Sequence, residues 1–184
     1  LFRSGAEGRQ RHAMTAATPP LPPASALFLR PPQPLDYRRL AAWIPDADTC
    51  DRWAGPSMPY PLSSAELEQR LSPDDRRRFA LTDPDSGFWG FAQSWQEHPP
   101  AWHLGRLIVP PEARGHGYGR RLCELLIAAH DGTHQALTLR VRRDNIVAHT
   151  LYLDLGFCPS EPESTPMALF MRRPRSALRQ SHTP

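Results

Sequence analysis

A chain of 184 residues with 40% hydrophobic content can bury one core of ordinary size, and its length argues for a single domain. The net charge of +3 comes from arginines interspersed with acids and not from a basic block, which argues against nucleic acid as a partner. No apolar run approaches the roughly 18 residues of a membrane span, the first residues lack the apolar core of a secretory signal, and Cys50, Cys123 and Cys158 form no C-x-x-C pair, so neither membrane, disulfide framework nor zinc cluster is expected, and a reducing, cytoplasmic setting is.

Lysine is absent and prolines number 22, a bias expected of a GC-rich, bacterial genome. Residues 1–23 show no periodicity and are expected to be a disordered extension, with Met14 as the natural start. Residues 24–30 read as a first strand. Residues 35–44 read as a helix with Leu40 and Ile44 on one face, and W-A-G-P (Trp53 to Pro56), followed by Pro59, Tyr60 and Pro61, reads as a rigid aromatic loop. Residues 63–71 read as a second helix, capped by Ser63 or Ser64 with Glu66 and Glu68 in its first turns. D-D-R-R-R at 74–78 reads as a solvated turn. A strand begins at 79–81, D-P-D-S-G at 83–87 turns the chain, and 88–95 returns as a strand with alternating bulky residues. A turn at 98–100 leads into 102–109, an apolar strand stopped by Pro110 and Pro111.

The next segment, R-G-H-G-Y-G at 114–119, lies between that strand and a helix-like run at 121–130. Three glycines let the backbone pass close to a ligand with its N–H groups outward, and the helix behind them adds a positive dipole end. A pyrophosphate would fit there. His130 and His134 are interrupted by Gly132 and suggest no metal site. Residues 136–141 read as a strand, N-I-V-A-H-T-L-Y-L-D-L-G-F at 145–157 as a helix and turn, and 167–172 as the last strand. Residues 174–184 form a short polar tail expected to fray.

A Walker phosphate loop needs a lysine that this chain lacks, and a dinucleotide fingerprint needs G-x-G-x-x-G at the first strand of its unit. Arg114-x-x-Gly117-x-Gly119 instead resembles the acetyl-coenzyme A signature of the GNAT N-acetyltransferase superfamily. The block from Asn145 to Phe157, about 30 residues on, resembles the superfamily's asparagine, alanine and tyrosine helix with its Leu-Gly-Phe turn; Asn145 is the chain's only asparagine.

The resemblance covers 24–173 and implies an α/β fold: a mixed, largely antiparallel sheet of six or seven strands, splayed between the fourth and fifth, with helices on both faces. It implies an acyltransferase that moves an acetyl group from acetyl-CoA, without a metal, to a primary amine of a small molecule, peptide or protein N-terminus in a ternary complex, by a monomer or homodimer. Main-chain groups of Leu107, Ile108 and Val109 would then bond the pantetheine and polarise the acetyl carbonyl. Arg114, Gly115, His116, Gly117, Tyr118, Gly119 and Arg120 would hold the phosphates. Asn145 would bond the pantetheine or cap its helix, with Ala148 beside the cofactor.

Tyr152 is the candidate general acid, protonating a thiolate whose conjugate thiol has a pKa of roughly 8.5. A base is needed chiefly for an alkylamine acceptor, whose deprotonation costs roughly 4 to 5 kcal/mol at neutral pH against about 1 for an α-amine. His103 on the fourth strand is the candidate, with Glu97, Asp83, Asp85 or a water relay as alternatives. Trp53 and Tyr60 are candidate acceptor contacts. Competing readings are a non-catalytic coenzyme A sensor, a transferase of longer acyl chains, and an unrelated α/β interaction protein in which the glycine loop is a mere turn.

Overall fold

Seven strands pair into one sheet in this computed structural model, which describes residues 20–98, 100–133 and 135–174. In chain order they are β1 (Phe28–Arg30), β2 (Arg77–Thr82), β3 (Phe88–His98), β4 (Ala101–Ile108), β5 (Ala136–Arg142), β6 (Cys158–Ser160) and β7 (Ala168–Arg173), and the spatial order is β1-β2-β3-β4-β5-β7-β6. Every neighbouring pair is antiparallel except β4 and β5, which are parallel. Parallel neighbours need a crossover, and here it is α4 (Tyr118–Asp131). The mixed sheet of the expected α/β fold is present. The expectations for residues 1–19, His134 and 175–184 lie outside the described residues.

Helices cover both faces. Leu122, Cys123, Leu126, Ile127 and His130 fall on one side of α4 and bury against one face, where α5 (Ile146–Asp154) joins them through Tyr152. On the other face, α1 (Pro34–Ala42), α2 (Ala47–Ala54) and α3 (Ser64–Arg70) enclose a second core with Leu40, Leu67, Phe88 and Phe91. Capping sets where these helices begin. Gln33 and Asp36 form a capping box with Pro34 in the first turn, and Arg30 clamps the buried Asp36 carboxylate through two bonds of 2.5 and 3.0 Å. Ser63, not Ser64, caps α3, exchanging bonds with Glu66.

Two stretches differ from the sequence reading. Residues 24–30 are not one strand: bonds from Ala26 N to Pro23 O and from Leu27 N to Ala24 O wind a tight turn over Ala24–Ala26, and only Phe28–Arg30 pair. Packing also starts before residue 24, since the Tyr118 hydroxyl donates to Pro22 O at 2.5 Å. The region read as a loop after the first helix contains α2, capped by Asp46, whose side chain accepts from Thr49 N at 2.7 Å. Trp53 therefore lies in the last turn of a helix.

Candidate functional site

β4 has two halves. Residues Ala101 to Leu104 pair with Ala136 to Leu139 of β5, and there the pairing stops, although β4 runs on to Ile108 and β5 to Arg142. A gap therefore opens between two strands whose inner edges have main-chain groups to offer. The cause is visible on the other side of β4, where Phe91 faces Ile108 but Gln93 faces Gly105, so β4 carries an extra residue. Arg106 sits in that bulge with φ at +54°, a left-handed conformation uncommon outside glycine. The bulge is pinned from outside by Trp53, whose indole N–H donates to Arg106 O at 2.8 Å. α2 also reaches the opposite lip, with Arg52 3.0 Å from Asp144 and Asp51 3.4 Å from Arg142. Leu107, Ile108 and the adjoining Val109 form the end of β4 that is left unpaired on its β5 side.

The glycine loop leads from that end to α4. Gly115 and Gly117 have φ of +78° and +82°, where a side chain would be strained, and Gly117 caps the helix without a side-chain bond. Among the described residues, no protein group accepts the N–H of Gly115, Gly117, Tyr118, Gly119 or Arg120. A helix tip with its amides unused and its dipole directed outward is suited to a diphosphate. His116 departs from this pattern: its N–H donates to Ala113 O at 3.4 Å, because the tight turn over Pro111–Ala113 continues into it. The Tyr118 side chain is turned away from the loop surface, its ring buried edge-on to Trp89. Arg114 is exposed with no carboxylate near it among the described residues, whereas Arg120 is held by Asp154 at 2.8 Å.

That ion pair and the contact of Gly119 with Leu151 place the Tyr152 turn of α5 against the first turn of α4. Tyr152 is 8% exposed, edge-on to Phe157, and no described group bonds its hydroxyl. Burial, followed by the neighbouring Cys123, pushes its pKa well above that of an ordinary phenol, so it keeps its proton at neutral pH. Cys123 itself is pushed up to about 12 by burial and is inert as a thiol. Leu107, Val109 and Ala148 border the same apolar cluster as Tyr152. Asn145 caps α5, accepting from Ala148 N at 3.2 Å through its side-chain oxygen.

Other expected residues are not brought there. His103 is 4% exposed at the paired end of β4; its Nδ1 lies 3.0 Å from Thr138 Oγ1, and Glu97 Oε2 lies at the same distance without hydrogen-bond alignment. Asp83 is spent on the β2–β3 turn, accepting from Gly87 N and Trp89 Nε1. Tyr60 ties its loop to Pro45 O at 2.5 Å and borders a small apolar recess with Ala41, Cys50 and Leu67, a recess that Trp53 does not line. Two groups near the gap escape the sequence reading: Arg106, an arginine inside an apolar run, and Arg76, expected in a solvated turn but stacked 4.4 Å over Trp95.

Solved structures share this architecture. Spermidine N-acetyltransferase from Vibrio cholerae in complex with CoA and spermine superposes with a TM-score of 0.61 at 21% identity, covering 80% of this chain and 94% of that one. AAC(6')-Ib in complex with ribostamycin and coenzyme A gives 0.64 at 19% identity, over 86% and 98%. An acetyltransferase from Thermus thermophilus gives 0.63 at 22% identity, over 81% and 97%. At these identities the likeness is one of fold. The model of the acetyltransferase (GNAT) family matches residues 41–157, more than half of the chain and the whole stretch from α2 through the glycine loop to the Leu-Gly-Phe turn. The chain belongs to the GNAT family of acetyltransferases.

Proposed function

We propose that the protein transfers the acetyl group of acetyl-CoA to a primary amine by direct attack within a ternary complex. The observation that carries this reading is the alignment of a helix tip with five uncommitted amides, a gap in the sheet beside it, and a buried tyrosine on the adjoining helix turn. Acetyl-CoA supplies an acetyl group activated as a thioester. Gly115, Gly117, Tyr118, Gly119 and Arg120 hold its diphosphate through their N–H groups, with the Arg114 side chain free to add a charge-assisted bond. The open edge of β4 at Leu107, Ile108 and Val109 bonds the pantetheine amides and stabilises negative charge growing on the acetyl oxygen. Asn145 caps α5 with its oxygen and keeps its amide N–H groups for the cofactor arm.

Tyr152 Oη donates its proton to the departing sulfur. As the amide forms, the free amine's nitrogen sheds one proton, which returns through water to the Tyr152 oxygen, so transfer to a free amine has no net proton change, and an acceptor that starts as an ammonium releases one proton to water. His103 is given no part in the transfer, because its ring is enclosed at the paired end of β4; the acceptor enters as the free amine or loses its proton to water. Solved neighbours in complex with CoA and spermine, and with coenzyme A and ribostamycin, support an amine acceptor.

The test has two stages. Acetyl-CoA at 100 times its dissociation constant should add about 2.7 kcal/mol of stability in a thermal shift. Free-thiol release with a panel of amines should then exceed release without amine. Stabilisation without amine-dependent release would reduce the protein to a coenzyme A sensor, and no stabilisation would remove the cofactor site altogether.

A further inference from the structure

Two guanidinium groups on the opposite face of the sheet from Tyr152 have no role in the transfer described above. Arg106 Nη1 donates to Gln93 Oε1 at 2.5 Å, and Gln93 is fixed in turn by donating Nε2 to Leu71 O at 2.7 Å. Arg76 lies with its Cζ 4.4 Å from the centre of the Trp95 ring. That ring rests on Gly105, where a Cβ would come within 2.4 Å of it, so a side chain at 105 would displace both Trp95 and the arginine stacked on it. The two cations are near enough to oppose each other. Burial first, and the charge of Arg76 second, bring the Arg106 guanidinium down to about 10.

Neither charge is neutralised by the described residues. Among the described residues no carboxylate lies within 4.0 Å of either guanidinium, Asp74 and Asp75 point into solvent, and Arg76 Nε is buried with no hydrogen-bond partner. The chain treats a comparable group differently at Arg30, which holds a buried aspartate with two bonds. Two partly desolvated like charges without a counter-charge cost stability, and a guanidinium fork matches a carboxylate in shape. Their place decides what the counter-charge belongs to. Gly105 and Arg106 are the first residues past the last β4–β5 pair, so they stand at the root of the gap on the face away from the α4 tip.

We propose that Arg76 and Arg106 form a subsite for an anionic group on the acceptor, which makes the acceptor an amine that also carries a carboxylate, such as an amino acid. This rests on acetyl transfer taking place at the gap. The amine enters the opening between β4 and β5 while the carboxylate lies against the accessible edge of the Arg76 guanidinium and the free edge of Arg106. Phosphate presents the same chemistry, so aminoalkyl phosphates share the subsite if they fit it.

The experiment has a turnover arm and a binding arm. Thiol release from acetyl-CoA is measured with the common amino acids, their carboxamides, phosphoethanolamine and spermine. The expected result is a kcat/KM at least about tenfold higher for acids than for the matching amides, with Arg76→Met and Arg106→Gln each raising the acceptor KM about tenfold to a hundredfold and leaving the acetyl-CoA KM unchanged. Preference for phosphoethanolamine over every amino acid would place a phosphate in the subsite and overturn the carboxylate assignment. Amides or spermine turned over as well as acids, or an acid preference that survives both variants, would overturn the subsite. In the binding arm, the side-chain Nε–H resonances of the arginines are followed by NMR while acetate replaces chloride at constant ionic strength. Saturable shifts in the wild type that vanish in Arg106→Gln are expected; their absence overturns the proposal whatever the turnover shows. Loss of acetyl-CoA binding alongside saturable acetate shifts would instead count against the proposed function alone.

Discussion

The two halves of β4 are built from the same strand and do opposite things. From Ala101 to Leu104 the strand is zipped on both sides, and its one polar inward residue, His103, is matched across the seam by Thr138. From Gly105 onward one side is open, and the backbone there is held by side chains instead: the Trp53 indole on Arg106 O, and Gln93 on the Arg106 guanidinium. A regular ladder leaves no main-chain group for a ligand, so a strand can bind through its backbone only where its pairing has been broken and the break is held by other means. The zipped half is held by its ladder, and the open half leaves main-chain groups for the proposed cofactor.

The largest effect should come from the open side. Tyr152→Phe removes the proton donor and leaves the packing against Phe157 in place. A fall in kcat of roughly a hundredfold to ten-thousandfold is expected, with acetyl-CoA affinity within about twofold of the wild type. Rapid-quench turnover beside calorimetric titration checks both, and an unchanged kcat removes the acid role.

Gly119→Glu follows. Gly119 has a helical backbone, and a Cβ there would meet only Leu151 Cδ2 at 4.0 Å, an ordinary contact, so the fold does not require glycine there, and an acid in the first turn favours the helix dipole. The same carboxylate faces the proposed diphosphate. Acetyl-CoA affinity should drop about a hundredfold, roughly 2.7 kcal/mol, while the melting temperature is kept or raised. A variant that binds normally would mean that the α4 tip is not where the phosphates lie.

A paired comparison between the halves comes next. Trp53→Phe leaves Arg106 O without its donor, and Thr138→Val leaves His103 Nδ1 without its hydroxyl; each should cost about 1 to 2 kcal/mol in denaturant unfolding. Their kinetics should part. Trp53→Phe loosens the bulge and should lower kcat/KM severalfold, whereas Thr138→Val should leave it within about twofold. Equal losses would return His103 to the chemistry and erase the distinction drawn between the halves.

The contrast also separates what can be read in the sequence from what cannot. The α4 tip, the α5 cap and the caps of α1 and α3 are local: glycines of left-handed φ, an asparagine three residues before the amide it caps, and a capping box fall within a few positions of each other. α2 escapes because its eight residues make barely two turns, so its one-sided apolar face, with Cys50 its only buried residue, rests on too few positions to stand out from a loop, and the Asp46 cap marks its start. The machinery of the bulge escapes for a different reason. Arg106 meets Gln93 and Trp53 across 13 and 53 positions of chain, and their meeting depends on one extra residue in a strand register. Local pattern puts His103 on the fourth strand, where it lies, but which half of that strand is zipped is a property of pairing, which no single segment reveals.

The smallest expected effect tests the rigid side. His130, near the C-terminal end of α4, is 1% exposed; its Nδ1 lies 2.8 Å from Leu126 O and its Nε2 3.0 Å from Ser94 Oγ, opposite Leu104 on the zipped half. A carbonyl only accepts, so Nδ1 carries the hydrogen and Nε2 accepts from the serine hydroxyl, which is the neutral ring. Burial is the main cause holding the pKa below the ordinary 6.5; Arg77 adds to it, while the Leu126 carbonyl and Asp131 oppose it. The unfolded chain therefore binds the extra proton first as acid is added. The stabilisation by His130 is complete above pH 6.5, declines as pH falls below it, and levels off once the folded ring is itself protonated. Urea midpoints between about pH 7.5 and 5 should fall more steeply for the wild type than for His130→Gln, with acetyl-CoA affinity at the upper pH unaltered in the variant. Parallel curves would show that this end of α4 does not titrate in that window, and altered affinity would show that the clamp at one end of the helix governs the phosphate-binding tip at the other.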